Sequence, residues 1–378
     1  MQRRTWIRTG MAMAAGGIFP GNASADGFGQ AADLLRSAVD AGDVAAASLF
    51  VRRGGDTRAD AFGAAPSPDA IFLIASITKP MSVATLMGLA DRGGLTTDAP
   101  VRRYLPEFHG QGRDRVTVAD LLTHRSGLPD QLPRNHELRG RHAPLSDFVS
   151  GALATPLAFP PGSRYRYSSM GILLASEIAQ RVSDKPFPDL MREIVFEPLG
   201  MNRSALGLGR WGVGETMRCQ VERSAPESGG GSEESRDWDW NSDYWRNLAA
   251  PWGGGHASAP DIARFLDAFL APPRGWLRQA SIDPMITNRN PPGWPPRGFG
   301  FGLGPQFSSP ACSPATFGHG GATGTLAWAD PDSDTTCVVL TTLPGNATKP
   351  HPRQLASDRI GHSARIDRRD GTPAAGES

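Results

Sequence analysis

Strand-forming sequence is concentrated at the two ends of this 378-residue chain, and that distribution limits its possible folds more than any single motif does. Near the start, "DVAAASLFVRRGG" is an apolar run closed by a Gly-Gly turn, and comparable runs return only in "GFGFGLGPQF", "TGTLAWADP" and "TTCVVLTTLPG". "FGQAADLLRSAVDAG" before the first strand and "RQLASDRIGHSARI" after the last have helical apolar spacing. So do the central segments "MSVATLMGLADRGG", "TVADLLTH", "GILLASEIAQRVSD" and "PDIARFLDAFLA". Strands at both termini bury their apolar faces most economically in one shared sheet. The expectation is therefore an α+β protein, an α/β sandwich whose antiparallel sheet is built from both chain ends, flanked by helices and interrupted by a mostly helical lobe. The expected domain spans 26–363, with the sheet lobe at 27–75 and 296–363, the helical lobe at 76–295 and a disordered tail at 364–378.

The balance of charge narrows the choice of partner. With 39 basic and 38 acidic residues the formal charge is +1, which gives no broad attraction to nucleic acid or anionic lipid and favours a small or wall-type substrate. The first 25 residues combine Arg3-Arg4, a short apolar middle and Ala23-Ser24-Ala25, the pattern of an export signal of twin-arginine type, so a periplasmic or secreted location is expected. No other run is long enough to span a bilayer, so the mature chain is expected to have no membrane span. Cys219, Cys312 and Cys337 are odd in number and widely spaced, which leaves their pairing open, and Cys337 sits in an apolar run that suits a buried small hydrophobe.

Lysine is nearly absent. Lys79, Lys185 and Lys349 are the only three, and Lys79 follows Ser76 by three residues in "FLIASITKPMSV". If a helix begins near Ser76, that spacing places hydroxyl and amine on one face. Serine needs a base to become a nucleophile, and a buried lysine can become neutral enough to serve, whereas arginine stays protonated. A helix start also offers unpaired backbone N–H groups to a developing oxyanion. Pro80 fits a first turn, and the apolar flanks "IFLIA" and "MSVATLMGLA" make the helix central.

Two later stretches complete a set. "PPGSRYRYSSMGILLASEIA" places Tyr167, with Tyr165 close by, before an apolar helix, and "FGHGGATGTLAWADP" places His319-Gly320-Gly321 at the head of a strand. In this order the sequence resembles the serine β-lactamase and penicillin-binding-protein superfamily, particularly its class C β-lactamase and serine esterase branch. "LLTHRSGL" and "GGGHASAPDIARFLDAF" are similar to two further segments of that family, and the likeness runs from about Gln30 to Gly345.

The resemblance implies a β-lactamase/transpeptidase-like fold and an acyl-enzyme formed at Ser76, with Lys79 and Tyr167 sharing proton transfers and the tyrosine acting as a phenolate base or shuttle. It places the oxyanion hole at the backbone N–H groups of Ser76 and Ala322, gives His319 a role in orienting Tyr167, and puts Ser169, Gly320 and Gly321 at the substrate. No cofactor or metal is implied. Ser169 stands where the family often has asparagine, and His319 where penicillin-recognising members have lysine, so the likeness favours esters of modest size. Alternatives are a peptidase for D-amino-acid or cell-wall peptides and, in another class, a binding protein that has lost turnover. The last has no need of Lys79.

Other signatures are weak. "HELRGRH" lacks the i, i+4 histidine spacing of a helical zinc site, and no Gly-x-Ser-x-Gly elbow occurs. His124 reads as a turn histidine ending its helix. In the Trp-rich loop 226–250, a Gly/Ser/Glu half is expected to be mobile, and Trp238, Trp240, Tyr244 and Trp245 either line a ligand cleft or pin the loop to the helical lobe.

Overall fold

The computed structural model describes residues 26–225, 228–305 and 308–370, with side chains to residue 365. The expected export signal lies outside the described residues. Among the described residues nine strands form two sheets. Six are in one antiparallel sheet, in the order β2-β1-β9-β8-β7-β6, with β1 at Ala46–Arg53, β2 at Asp56–Gly63, β6 at Gly302–Leu303, β7 at Phe317–Gly321, β8 at Thr325–Asp330 and β9 at Thr335–Thr341. β1 joins the carboxyl-terminal strands by pairing with β9, as in Val51 opposite Cys337. The sheet is thus assembled from both chain ends, as the sequence suggests.

Helices cover both faces, which is why β9 is apolar at successive positions and not at every second one. Cys337 and Val339 pack with Leu35 and Ile360, from the Gly27–Asp40 and Pro352–Asp370 helices. Val338 and Leu340 point the other way, into a core that includes Phe265 and Phe269 of the Ala259–Leu270 helix. That core continues without a break into the helical lobe.

Four expectations are corrected. The helical lobe contains strands, since β3 (Phe72–Leu73), β4 (Ser204–Leu206) and β5 (Gly255–Ala257) make a small antiparallel sheet in the order β3-β5-β4. The Ala259–Leu270 helix, assigned by sequence to that lobe, lies on the large sheet. "GFGFGLG" yields only the two residues of β6, because Gly300 turns at φ 79° and Phe299 and Phe301 enter the aromatic core. The tail expected from 364 is helical to Asp370, there being no glycine or proline before Gly371 to stop it. Among the described residues no helix is long and apolar enough to cross a membrane, and Cys219, Cys312 and Cys337 are buried and free.

Candidate active site

The segment that carries Ser76 starts where β3 ends. Ala75 takes a left-handed φ of 46°, a conformation that costs a residue with a side chain roughly 1–2 kcal/mol. The chain turns there into a 3-10 turn at Ala75–Ile77 and then into the Thr78–Asp91 helix, so the α-helix starts two residues after Ser76. From Ile71 to Pro80 every residue is buried except Ser76, which keeps part of its surface open. Pro80 is the third helical residue, where its missing N–H leaves no bond unmade.

A strip of backbone, "PWGGG" at 251–255, backs this helix. Lys79 Nζ donates to the Trp252 carbonyl at 2.7 Å, Ser82 Oγ to Pro251 at 2.6 Å, and Gly255 N–H to Thr78 Oγ1 at 3.0 Å. A Cβ on Gly255 would lie 2.6 Å from Thr78 Oγ1, so this approach needs glycine.

Lys79 is 1% exposed and its Nζ lies 2.9 Å from Ser76 Oγ. Burial lowers its pKa from 10.5 to about 7; Asp130 opposes the shift and Arg297 adds to it. Near neutrality a large share of the amine is therefore unprotonated and able to accept the serine proton. Nζ also sits 4.9 Å from the centre of the Tyr167 ring, and the Tyr167 hydroxyl hydrogen-bonds Ser76. Burial pushes the phenol of Tyr167 above its ordinary range, although its bond to Ser76 and the charge of Arg297 work the other way. Desolvation outweighs the cationic neighbours, so burial favours the phenol over the phenolate.

His319 Nε2 is 3.5 Å from the Tyr167 hydroxyl. Its Nδ1 lies 2.7 Å from the Gly320 carbonyl, an acceptor, so Nδ1 carries the proton and Nε2 presents a lone pair to the tyrosine. Burial, with Arg297 and Lys79 contributing, lowers its pKa from 6.5 to about 3, which keeps it neutral. Neither Ser76 nor Ala322 N–H donates to a backbone acceptor among the described residues.

Gly321 lets β7 approach the segment that carries Ser76, since a Cβ there would lie 2.4 Å from the Ile74 carbonyl. Gly320 has only ordinary contacts at 3.8 Å and beyond, so no steric demand explains it. Ser169 differs from its expected place at the substrate. It is buried, and both its hydroxyl (2.6 Å) and its N–H (2.9 Å) donate to Asp130 Oδ1.

Three residues near this cluster carry no sequence motif that assigns them a part in the chemistry. Asp130 and Arg297 are the charged groups that bias Lys79, and the Arg297 guanidinium lies 5.7 and 5.8 Å from the rings of Tyr165 and Tyr167. His124 is a turn residue at φ 61°, as expected, but it also grips Tyr167 from both sides. Its carbonyl accepts from Arg166 N–H at 2.9 Å, its Nδ1 accepts from Ser168 N–H at 3.2 Å, and its ring lies 4.6 Å from that of Tyr167. His124→Asn retains an acceptor near Nδ1 and tolerates the backbone angle, so activity should stay within a few-fold of wild type. His124→Leu loses both, and we expect kcat to drop by about tenfold or more at nearly constant KM, read by steady-state kinetics.

The tryptophans are buried and pin the loop to the helical lobe. Trp238, Trp240 and Trp245 are at most 7% exposed, Tyr244 Oη donates to Ala143 O at 2.9 Å, and the Arg139 guanidinium lies 3.8 Å from the centre of the Trp245 ring. In the Gly/Ser/Glu half, Ser235 Oγ donates to Gly229 O at 2.8 Å.

A serine held against a buried lysine in this frame is the apparatus of a serine hydrolase. The chain belongs to the Beta-lactamase family, whose model matches residues 31–359. Esterase EstB of Burkholderia gladioli is 31% identical over 288 residues, 69% of this chain and 72% of that protein. Among solved structures, EstCE1, described as a hydrolase with promiscuous acyltransferase activity, superposes with a TM-score of 0.72 at 20% identity, covering 89% of this chain and 98% of that one. A D-amino acid amidase from Ochrobactrum anthropi gives 0.69 at 22% identity, covering 92% and 100%. These two show the fold.

Proposed function

We propose that this protein is an esterase that acts on small acyl esters through an acyl-enzyme at Ser76. The observation that carries the reading is Lys79 Nζ, fully buried, 2.9 Å from Ser76 Oγ, with its pKa at about 7. As Ser76 Oγ bonds to the carbonyl carbon, its proton passes to Lys79 and the carbonyl electrons collect on oxygen, facing the N–H groups of Ser76 and Ala322. When the carbon–oxygen bond to the alcohol breaks, Tyr167 supplies the alkoxide with a proton and is restored from Lys79. Water, deprotonated by the same pair, then releases the acid.

Neutral His319 favours esters over penicillins. A neutral imidazole gives little attraction to a substrate carboxylate, and Ser169 is occupied by Asp130, so no amide-binding group stands at that position. Esterase EstB, the 31% identical relative, agrees with this choice. Parallel assays with p-nitrophenyl acyl esters, nitrocefin and D-alanyl peptides decide it: turnover of the esters at the highest kcat/KM supports the reading, and preference for either of the others overturns it.

Activity should follow the protonation of Lys79. Its neutral form is the base, so kcat/KM on an ester is expected to rise with pH along a single acid limb centred near pH 7. His319 contributes no limb there, because it is already neutral. A flat profile between pH 5 and 9, measured against initial rates corrected for hydroxide hydrolysis, would contradict the lysine base.

A further inference from the structure

Arg353 lies on the carboxyl-terminal helix, far in sequence from every motif, yet its side chain ends beneath the turn that carries Ala322. Nη1 donates to the carbonyl of Gly321 and, at 2.8 Å, to that of Thr325. These are the last residue of β7 and the first of β8, so one guanidinium nitrogen bridges the two ends of the turn. No carboxylate pairs with Arg353 among the described residues, and burial lowers its pKa to about 10. Arg353 is half-buried, and among the described residues its guanidinium is bonded only to these carbonyls, so its part in the fold is to hold them. Gly345 leaves room for it, since a Cβ there would lie 2.5 Å from Nη2.

The same turn is tied to the nucleophile segment. Thr323 Oγ1 donates to Leu73 O at 2.6 Å and Thr325 Oγ1 to Ile74 O at 3.0 Å, three and two residues before Ser76. On its other side, Gly345 N–H donates to the Ala322 carbonyl at 2.8 Å. The segments that bear the Ser76 and Ala322 amides therefore form one hydrogen-bonded unit, with Arg353 closing it from below.

We propose that Arg353 is a positioning residue for acyl transfer, holding the Gly321–Thr325 turn so that the Ala322 N–H is aimed, together with that of Ser76, at the oxyanion. The inference rests on the reading of Ser76 and Ala322 given under Proposed function. Its partners are backbone carbonyls, so its effect falls on the geometry of the oxyanion hole and not on nucleophile or base.

An ester and its thiono analogue, in which sulfur replaces the carbonyl oxygen, separate these effects, because the larger and weaker sulfur acceptor uses the hole poorly. The wild-type enzyme should favour the oxo ester well beyond the ratio shown by hydroxide. Arg353→Met should lower kcat on the oxo ester by about 10- to 100-fold with KM within about threefold. The thiono ester should lose less, so that the oxo/thiono ratio falls at least about fivefold. Arg353→Lys, which keeps a donor and a charge, should fall between. A folded Arg353→Met variant with the wild-type ratio overturns the proposal. If near-UV circular dichroism shows that variant unfolded, Arg353→Lys decides alone, and an unchanged ratio again overturns it. A wild-type ratio equal to that of hydroxide removes the oxyanion role of Ala322 itself, and the role of Arg353 with it.

Discussion

Ser76→Ala should abolish ester hydrolysis, with kcat reduced on the order of 10⁴-fold or more and the far- and near-UV circular dichroism unchanged. The loss should be large because Ser76 is the only partly exposed residue between Ile71 and Pro80, and among the described residues no other serine or cysteine is hydrogen-bonded to Lys79. The three cysteines are buried, with burial raising their thiols, so none offers a substitute thiolate. The fold should tolerate the change, since the helix is held by Thr78, Ser82 and Lys79 and not by Ser76. A variant retaining a tenth of the wild-type rate would place the nucleophile elsewhere.

Lys79→Arg should lose nearly as much, on the order of 10³-fold. Lysine at this site is useful because burial makes it neutral, and arginine would remain a cation against Ser76 with no lone pair to accept a proton. It is also bulkier, so Lys79→Met serves as the companion variant: similar in length, uncharged, and equally without a base. Both should be inactive, and the methionine variant should melt within a few degrees of the wild type, since the loss of the Lys79–Trp252 bond is offset by removal of a buried ionisable group. If either folded variant keeps a tenth of the rate, Lys79 is not the base.

The architecture was legible where apolar residues are continuous. β1, β8 and β9 are largely buried on both faces, the helix around Ser76 is buried along nearly its whole length, and the helix after Tyr167 is buried throughout its first two turns. β2, "DTRADAFG", was not recognised because it is an edge strand with its first four residues exposed, so neither alternation nor an apolar run marks it. β3, β4 and β5, two or three residues each, are too short to show a period. "GFGFGLG" failed in the opposite sense: alternating glycine and phenylalanine imitates a strand, but the rings of Phe301 and Phe317 meet at 5.2 Å in the core while Gly300 makes a turn.

The site divides in the same way. Ser76, Lys79, Tyr167 and His319 could be found because each sits in a short ordered motif, and the structure brings all four together. The ionisation of Tyr167 could not be read, because it depends on how far desolvation outweighs Arg297, a residue 130 positions away. His124, Asp130, Arg297 and Arg353 lie outside the motif positions that suggest chemistry. Their relevance comes from contacts across the chain: His124 at Ser168, Asp130 at Ser169, and Arg353 at Gly321. "LLTHRSGL" carried a signal for the first of these, since a histidine in a tight turn before a tyrosine loop is available to brace it.

The most direct test of the central claim is intact-mass analysis of the wild-type protein after exposure to an alkyl phosphonate ester, followed by peptide mapping. One adduct per chain is expected, on Ser76, formed faster as pH rises through 7. An adduct on any other residue, or none while esters are still turned over, would contradict it.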